Sequence, residues 1–415
     1  MEIVTKIIYT ETIKPSSPTP KSPQKHQLSF LDQLAPPLFM PLVYFYTSNP
    51  KIPNSQKSNY LKKSLSEALS RFYPLAGRLV DNLYVDCNDG GAPFSEAEAD
   101  CNLSHAITIP EPKNMKIYLP YKMIESQDFC MAVQATYFRC GGLAVGLLIS
   151  HKIADALSYF VFANTWSAIA RNGDRCGVVP LPKFDAAAYF PPKAVSGFSP
   201  STEGMVKEEL TTRIFTFPGA KISALREKYS HGGALQPRPT RVEALSAFIW
   251  TRFISTTGIK ADPNIKTYTV HHAVNLRTRV DPPLSEYHFG NLSWTSIAKL
   301  AARDGGDDLL EKVREAMKAV KVQLNLMREI MDEASRGELV TFSFTSLRGF
   351  PVYEADFGWG EPVWVGTPGL PYKNFVSFTD TKNGSGIEAL IHLKKQDMDK
   401  FEADLELQEF ISHDI

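Results

Sequence analysis

One apolar stretch, Gly141-Gly142-Leu143-Ala144-Val145-Gly146-Leu147-Leu148-Ile149, runs almost without a polar break. Its shortness and lack of alternation predict a strand buried on both faces. Further on, Leu157, Phe160, Val161, Trp166 and Ile169 recur at helical spacing as far as Arg171, and Asn172-Gly173 closes the pattern. Between the two lies Ser150-His151-Lys152-Ile153-Ala154-Asp155. His151 therefore falls where a buried strand gives way to a helix. Such a junction holds a side chain on rigid backbone and leaves its tip in a crevice.

The same patterning organises the rest of the chain. Residues 3–14 and Val43–Tyr46 read as strands, with an extended Pro15–Pro20 linker between them. A helix over about 55–72 carries Leu61, Leu65, Leu69 and Phe72 on one face. Pro74 stops it, and Gly77 turns the chain into a strand at 83–87. Residues 180–201, rich in Pro, Gly and Ser, mark the best linker. Beyond it the pattern predicts a strand at 212–217 and a helix at 219–229. A second helix starts at Thr240, with Glu243 completing a capping box. A buried strand follows at 268–277, then one long amphipathic helix over 307–336. Strands near 340–346, 363–365, 374–379 and 386–392 precede a terminal helix over 395–410. The expected division is a first domain 1–192, a crossover linker 193–211 and a second domain 212–415. A stretch after Asp356 is expected to pack back on the first domain.

Composition narrows the function. A chain of 415 residues can bury two sizeable cores. Lys+Arg and Asp+Glu both total 45, a balance that argues against a nucleic-acid partner. No apolar run reaches membrane-spanning length, and the N-terminus lacks a signal-peptide pattern. Five cysteines at loose spacing suggest reduced thiols and a cytoplasmic protein.

Neutral imidazole offers one nitrogen that accepts a proton near working pH, so His151 is a candidate general base. Asp155, four residues on, either orients the ring or faces away and anchors the loop. A chance His-x3-Asp, a helical pair and a capping aspartate are equally compatible with the spacing. A second motif, Asp356-Phe357-Gly358-Trp359-Gly360, stands some 200 residues later. Asp-Phe-Gly also occurs in protein kinases, but the other kinase motifs, Walker A and Gly-x-Ser-x-Gly are absent. His271-His272 lies on a strand, where alternation points the two rings opposite ways. No metal site is expected there.

The two motifs together resemble those of the plant BAHD acyltransferases. Leu31-Asp32-Gln33, Tyr73-Pro74-Leu75-Ala76-Gly77-Arg78 and Asn275-Leu276-Arg277 are similar to further elements of that family, as are Asp281-Pro282-Pro283-Leu284 and Phe289-Gly290-Asn291. The last elements look especially like the branch that acetylates alkaloids, with terpenoid acetyltransferases nearby. By their residues, the first two of these pieces read as a turn and a helix stop, neither catalytic.

The resemblance implies an α/β fold of two chloramphenicol-acetyltransferase-like domains, mixed sheets and helices around a shared channel. It implies acyl-CoA, here acetyl-CoA, as co-substrate, a small alcohol as acceptor, no permanently bound cofactor, no metal, no membrane partner and a monomer. His151 would be the base. Asp155 would turn away and pair with Arg277, tying the two halves together. Asp356, Gly358 and Gly360 would shape the CoA side of the channel, and Thr345 would serve the oxyanion or the acceptor pocket. A thioester hydrolase and a non-catalytic binding homologue are the rivals. The sequence departs from the family at Leu347, where tryptophan is usual, with the basic Arg348 one place early. It departs again at Glu361, where a basic residue is common.

Overall fold

A computed structural model describes residues 3–20, 24–108, 110–123, 129–172, 180–194, 210–230, 238–258, 262, 264–301, 306–319 and 324–412. Its contacts divide the chain into two compact units. The first comprises Met1–Thr202, Arg277–Leu292 and Phe350–Pro368; the second comprises Glu203–Leu276, Ser293–Gly349 and Gly369–Ile415.

The first unit is built on a six-stranded sheet. Its spatial order is Thr5–Ile13, Ala92–Ala99, Met131–Phe138, Leu143–Ser150, Phe39–Tyr46 and Trp364–Gly366. Every residue of Met131–Phe138 and of Leu143–Ser150 is buried, as expected of central strands; the polar Gln134 in the first of them donates to the Ile117 carbonyl at 2.8 Å. The helices Asn54–Arg71 and Ala156–Asn172 pack together in this unit, and the indole of Trp166 donates to the Leu61 carbonyl at 3.3 Å and to Ser64 Oγ at 3.0 Å. Val43, Phe45, Ala144 and Leu148 lie in a cluster with Tyr118, Leu119 and Phe138. Gly146 sits on that side, and a Cβ there would collide with the Tyr118 carbonyl oxygen. Only glycine lets the two backbones approach so closely. A small sheet of Lys25–Gln27, Tyr84–Asp86 and Arg78–Val80 completes the unit.

The second unit holds another six-stranded sheet, ordered Ser293–Ala301, Thr267–Asn275, Leu339–Ser346, Phe375–Asp380, Gly386–Lys394 and Leu210–Pro218. Strand alternation separates its faces. Tyr268, Val270, Phe342, Phe344, Val376 and Phe378 join a core with Leu245, Phe248 and Phe253 of the helix Arg241–Thr257. Thr240 caps that helix, with Glu243 closing the capping box. The opposite face is rich in hydroxyls. Register carries one rung from His271 through Ser343 and Phe375 to His392 and Thr212.

Several expectations change. The C-terminal block from residue 212 is interrupted twice: Arg277–Leu292 belongs to the first unit, and so does Phe350–Pro368, which contains the stretch after Asp356 expected to pack back there. The second of these segments is drawn in by strand pairing of Trp364–Gly366 with Phe39–Tyr46. Most of the expected linker 193–211 lies outside the described residues. The long helix over 307–336 is recorded as Gly306–Lys318 and Leu324–Ser335, with 320–323 outside the described residues. The terminal helix breaks into Lys395–Glu402 and Leu405–Phe410, because Asp404 accepts from Leu407 N at 2.7 Å and starts a new helix. The strands Ala92–Ala99, Met131–Phe138 and Ser293–Ala301 were not anticipated. Ala92-Pro93-Phe94-Ser95-Glu96-Ala97-Glu98-Ala99 has no β-branched residue, so its pairing is decided by tertiary burial over local propensity.

The second unit encloses neutral imidazoles. His272 donates or accepts at Ser246 Oγ over 3.0 Å and stacks on Phe344, with ring centres 4.9 Å apart. His392 is fully buried beside Thr212 Oγ1 at 3.1 Å. Burial lowers His272 to about 3, assisted by the neighbouring His271, and lowers His392 to about 4. The unfolded chain takes up these protons near pH 6.5 and the folded chain does not. Their contribution to stability is therefore complete above about pH 6.5 and is lost as pH falls toward 4. Each buried imidazole should remove up to about 1.4 kcal/mol per pH unit within that window. Urea unfolding between pH 7 and 4 should show this slope, and His392→Gln should make it shallower. A slope unchanged by that substitution would contradict the assignment.

Candidate functional site

The strand Leu143–Ser150 ends one residue before His151. The main chain there is fixed on several sides. His151 N donates to the Leu38 carbonyl at 2.8 Å, Ser150 N to Cys130 at 2.8 Å, and Ile153 N back to Ser150 at 3.2 Å. The helix begins at Ala156, and Asp155 Oδ1 accepts from Ser158 N at 2.9 Å in the manner of an N-cap. The five residues between strand and helix thus form a rigid corner with the His151 side chain half-buried upon it.

Asp155 has no capacity left for His151. Arg277 Nη1 donates to its Oδ2 at 2.7 Å and Arg277 Nη2 to its Oδ1 at 3.1 Å. Leu292 N donates to Oδ2 at 3.1 Å. Arg277 further donates to Ser158 Oγ at 3.0 Å and to the His288 carbonyl at 3.1 and 2.9 Å. The two side chains are 5% and 2% exposed. Burial pushes the Asp155 pKa up, but the Arg277 charge and its hydrogen bonds outweigh this and hold the carboxyl below its ordinary value. A bidentate guanidinium is the partner that makes a carboxylate tolerable at such depth. The expectation that this pair ties two halves together is corrected, because Arg277–Leu292 is part of the first unit and the contact lies within it.

The ring of His151 is oriented by Asn291. Its Nδ1 lies 3.1 Å from Asn291 Oδ1. The amide Nδ2 of Asn291 donates to the His151 carbonyl at 2.7 Å and to Asp32 Oδ1 at 2.8 Å. Two acceptors thus fix which end of the amide is nitrogen, so its oxygen must face the imidazole. Assigned from this network, the proton of neutral His151 sits on Nδ1 and the lone pair is left on Nε2. Burial lowers the His151 pKa; a contact of the ring with its own backbone, the Asp155 charge, the Asn291 amide and the Ala154 backbone, in that order, oppose this without cancelling it. The imidazole is therefore neutral and able to accept a proton at pH 7.

Lys152 secures the other side of the corner. It is buried, and its ammonium donates to the carbonyls of Gln33 at 2.9 Å and Ala35 at 2.8 Å. Burial lowers it to about 8, with Asp32 pulling the other way.

The remaining motif residues occupy other positions. Asp356 Oδ1 accepts from Gly358 N at 2.8 Å and Gly360 N at 2.9 Å. Its Oδ2 lies 3.4 Å from Arg171 Nη1. Both glycines have φ above +100°, which a side chain would resist. Phe357 packs edge-on to Trp166 and stacks on Trp359, while Tyr46 OH donates to the Ala355 carbonyl at 2.7 Å. The carboxylate's contacts close its own loop. Thr345 is in the second unit, on the strand Leu339–Ser346 opposite Ser377. Leu347 N donates to the Phe378 carbonyl at 2.8 Å, and Arg348 Nε reaches Asp380 Oδ1 at 2.6 Å. Glu361 is exposed. Among the described residues no group of three or more His, Cys, Asp and Glu side chains could hold a metal.

Sequence reasoning passed over Asn291 and Asp32. Both were visible only as fragments of motifs, and they stand 259 residues apart. Nothing local in either segment announces the contact.

Comparison with known proteins places this arrangement among transferases. Residues 3–408 match the family described as the Transferase family. The chain belongs to that family, the BAHD acyltransferases. Limonoid 21-O-acetyltransferase of Melia azedarach is 37% identical over 429 residues, with 98% of each chain covered. Vinorine synthase of Rauvolfia serpentina is 37% identical over 405 residues, with 94% of each covered. The crystal structure of vinorine synthase is similar at a TM-score of 0.85 and 35% identity over 99% of both chains. A protein of F. sporotrichioides crystallised with coenzyme A and T-2 shares the fold, at a TM-score of 0.69 and 15% identity over 94% of this chain and 99% of that one. No helix among the described residues is long and apolar enough to cross a membrane.

Removing either member of the Asp155–Arg277 pair leaves the other charge buried alone, at a cost of about 3–5 kcal/mol. Asp155→Ala and Arg277→Ala should each lower unfolding free energy by that order. Combined, they should lose clearly less than the sum. Strictly additive losses in urea titrations would count against the contact.

Proposed function

We propose that this acyltransferase moves an acetyl group from acetyl-CoA to a hydroxyl of a small plant alcohol, of alkaloid or terpenoid type, with His151 as general base. The observation that carries the reading is the Asn291 amide oxygen 3.1 Å from Nδ1 of a rigidly mounted His151, from which we assign a lone pair to Nε2. The names of the relatives, a limonoid O-acetyltransferase and vinorine synthase, support the acceptor class. Coenzyme A in a protein of the same fold supports the donor.

In this mechanism Nε2 removes the hydroxyl proton as the oxygen attacks the thioester carbonyl. The tetrahedral oxyanion needs a preorganised donor, a role we give to Thr345 or to backbone amides. Collapse expels the CoA thiolate, which takes the proton back from the imidazolium. Asp155 keeps the corner rigid and does not touch the ring. No side chain at the corner serves as acyl nucleophile, so transfer is direct. The enzyme acts as a cytosolic monomer without a permanently bound cofactor in this reading. Cysteines 87, 101, 130 and 140, all free thiols, fit a reducing compartment.

The test is purified protein with acetyl-CoA and a panel of alkaloid and terpenoid alcohols. His151→Ala should keep its melting temperature and lose at least ~10²-fold in kcat. Initial-rate lines against one substrate at fixed levels of the other should intersect. Near-normal turnover by a folded His151→Ala protein would sink the assignment. Parallel lines would point to a covalent intermediate. Fast CoA release without any alcohol would make water the acceptor and the enzyme a hydrolase.

A further inference from the structure

Asp32 was expected to serve a turn, and its place in the structure gives it more to do. It is 1% exposed and is the third residue of the helix Phe30–Leu34, which Ser29 caps. One of its oxygens does local work: Oδ2 accepts from Ser29 N at 2.8 Å and Ser29 Oγ at 2.6 Å, closing a capping box. The other oxygen points at a different segment. Oδ1 accepts from both Asn291 N and Asn291 Nδ2, each at 2.8 Å. A capping box needs only the first oxygen. The second is committed to an asparagine whose amide oxygen meets the His151 ring at 3.1 Å.

An amide can turn over at almost no steric cost, since its oxygen and nitrogen are alike in shape. What settles its direction is the set of partners. Asn291 Nδ2 has two, the His151 carbonyl and the Asp32 carboxylate. The carboxylate is the stronger, because a charged acceptor roughly doubles the strength of a hydrogen bond. If the amide turned over, its NH2 would face His151 Nδ1. That nitrogen would then face a donor, which favours the tautomer with the ring proton on Nε2 and no lone pair there to take a proton, against the pull of the backbone contacts at His151 and Ala154. Asp155, wholly engaged by Arg277, Ser158 and Leu292, cannot correct this.

We propose that Asp32 is a positioning residue which, through Asn291, selects the tautomer of His151 that leaves Nε2 free to accept a proton. Lys152 also ties the corner to the C-terminal end of the same helix, through the carbonyls of Gln33 and Ala35. The proposal rests on His151 as the base, but its decisive readout needs no turnover.

The experiment is nitrogen-15 NMR on full-length protein labelled at histidine, with the His151 signals identified by their loss in His151→Gln. In the unmodified protein near pH 7, Nδ1 should show the shift of a protonated ring nitrogen and Nε2 that of a bare one. Asp32→Asn keeps the shape and removes the charge. It should turn the Nδ1–H form into a minor species, and kcat should fall ~10-fold or more with KM for acetyl-CoA unchanged. Ser29→Ala is the control. It weakens the same helix cap but leaves Oδ1 facing Asn291, so it should lower the melting temperature and leave tautomer and kcat alone. If Asp32→Asn fails to fold, Asn291→Leu, which cannot hydrogen-bond the ring, should release the same tautomer preference. A bare Nδ1 in the unmodified protein would overturn the proposal. So would a folded Asp32→Asn or Asn291→Leu protein with the Nδ1–H form undiminished. Loss of activity with tautomer unchanged would likewise refute it while leaving His151 as base intact.

Discussion

The buried ion pair of Asp155 and Arg277 is the constraint on which the site depends. It is an expensive arrangement in itself, for neither charge is solvated and each has a helix or loop backbone around it. Its stabilisation comes from completeness. Both carboxylate oxygens and all three guanidinium nitrogens have partners, including Ser158 N, Leu292 N and the His288 carbonyl. Because these partners come from the start of the Ala156–Asn172 helix and from the Arg277–Leu292 segment, the pair fixes two pieces of chain at once. One piece carries His151 and the other carries Asn291. The geometry at the imidazole follows from that connection.

Much of the scaffold was legible from sequence because the relevant signals are local. An apolar run bounded by Gly141-Gly142 and Ser150 reads as a buried strand, and the helical spacing after Asp155 reads as a helix, which the structure buries on nearly every side. The cap at Thr240 and Glu243 was readable for the same reason, being four residues of self-contained chemistry. Local signals failed where a tertiary partner decides. Ala92–Ala99 becomes a strand because it is inserted between two others. The cut in the terminal helix at Asp404 is a different case: its cap on Leu407 N is local and was passed over within a continuous helical pattern. The chain's return into the first unit at 277–292 carries no local signal, and the second return, at 350–368, was expected only for a stretch after Asp356.

The site shows the same division. The residue type and position of His151 pointed to a base, and the spacing to Asp155 left two roles open, orienter or anchor. Hydrogen bonds choose between these on capacity: a carboxylate with two donors on each oxygen has none to offer an imidazole. The orienting contact then comes from Asn291, which spacing could not supply because it lies 140 residues away.

This arrangement also has an electrostatic consequence for the proposed role of His151 as a base, half-buried at its corner. A carboxylate in direct contact with Nδ1 would favour the imidazolium and raise its pKa, as an adjacent opposite charge does. An amide oxygen at the same place fixes the tautomer with a smaller pull on the proton. Burial then dominates, and the His151 pKa falls below its ordinary value. The histidine is kept in the unprotonated form that its proposed role requires, while the Asp32 carboxylate sits one amide further back. Orientation and charge are separated into two residues, so the ring can be held firmly without being protonated in advance.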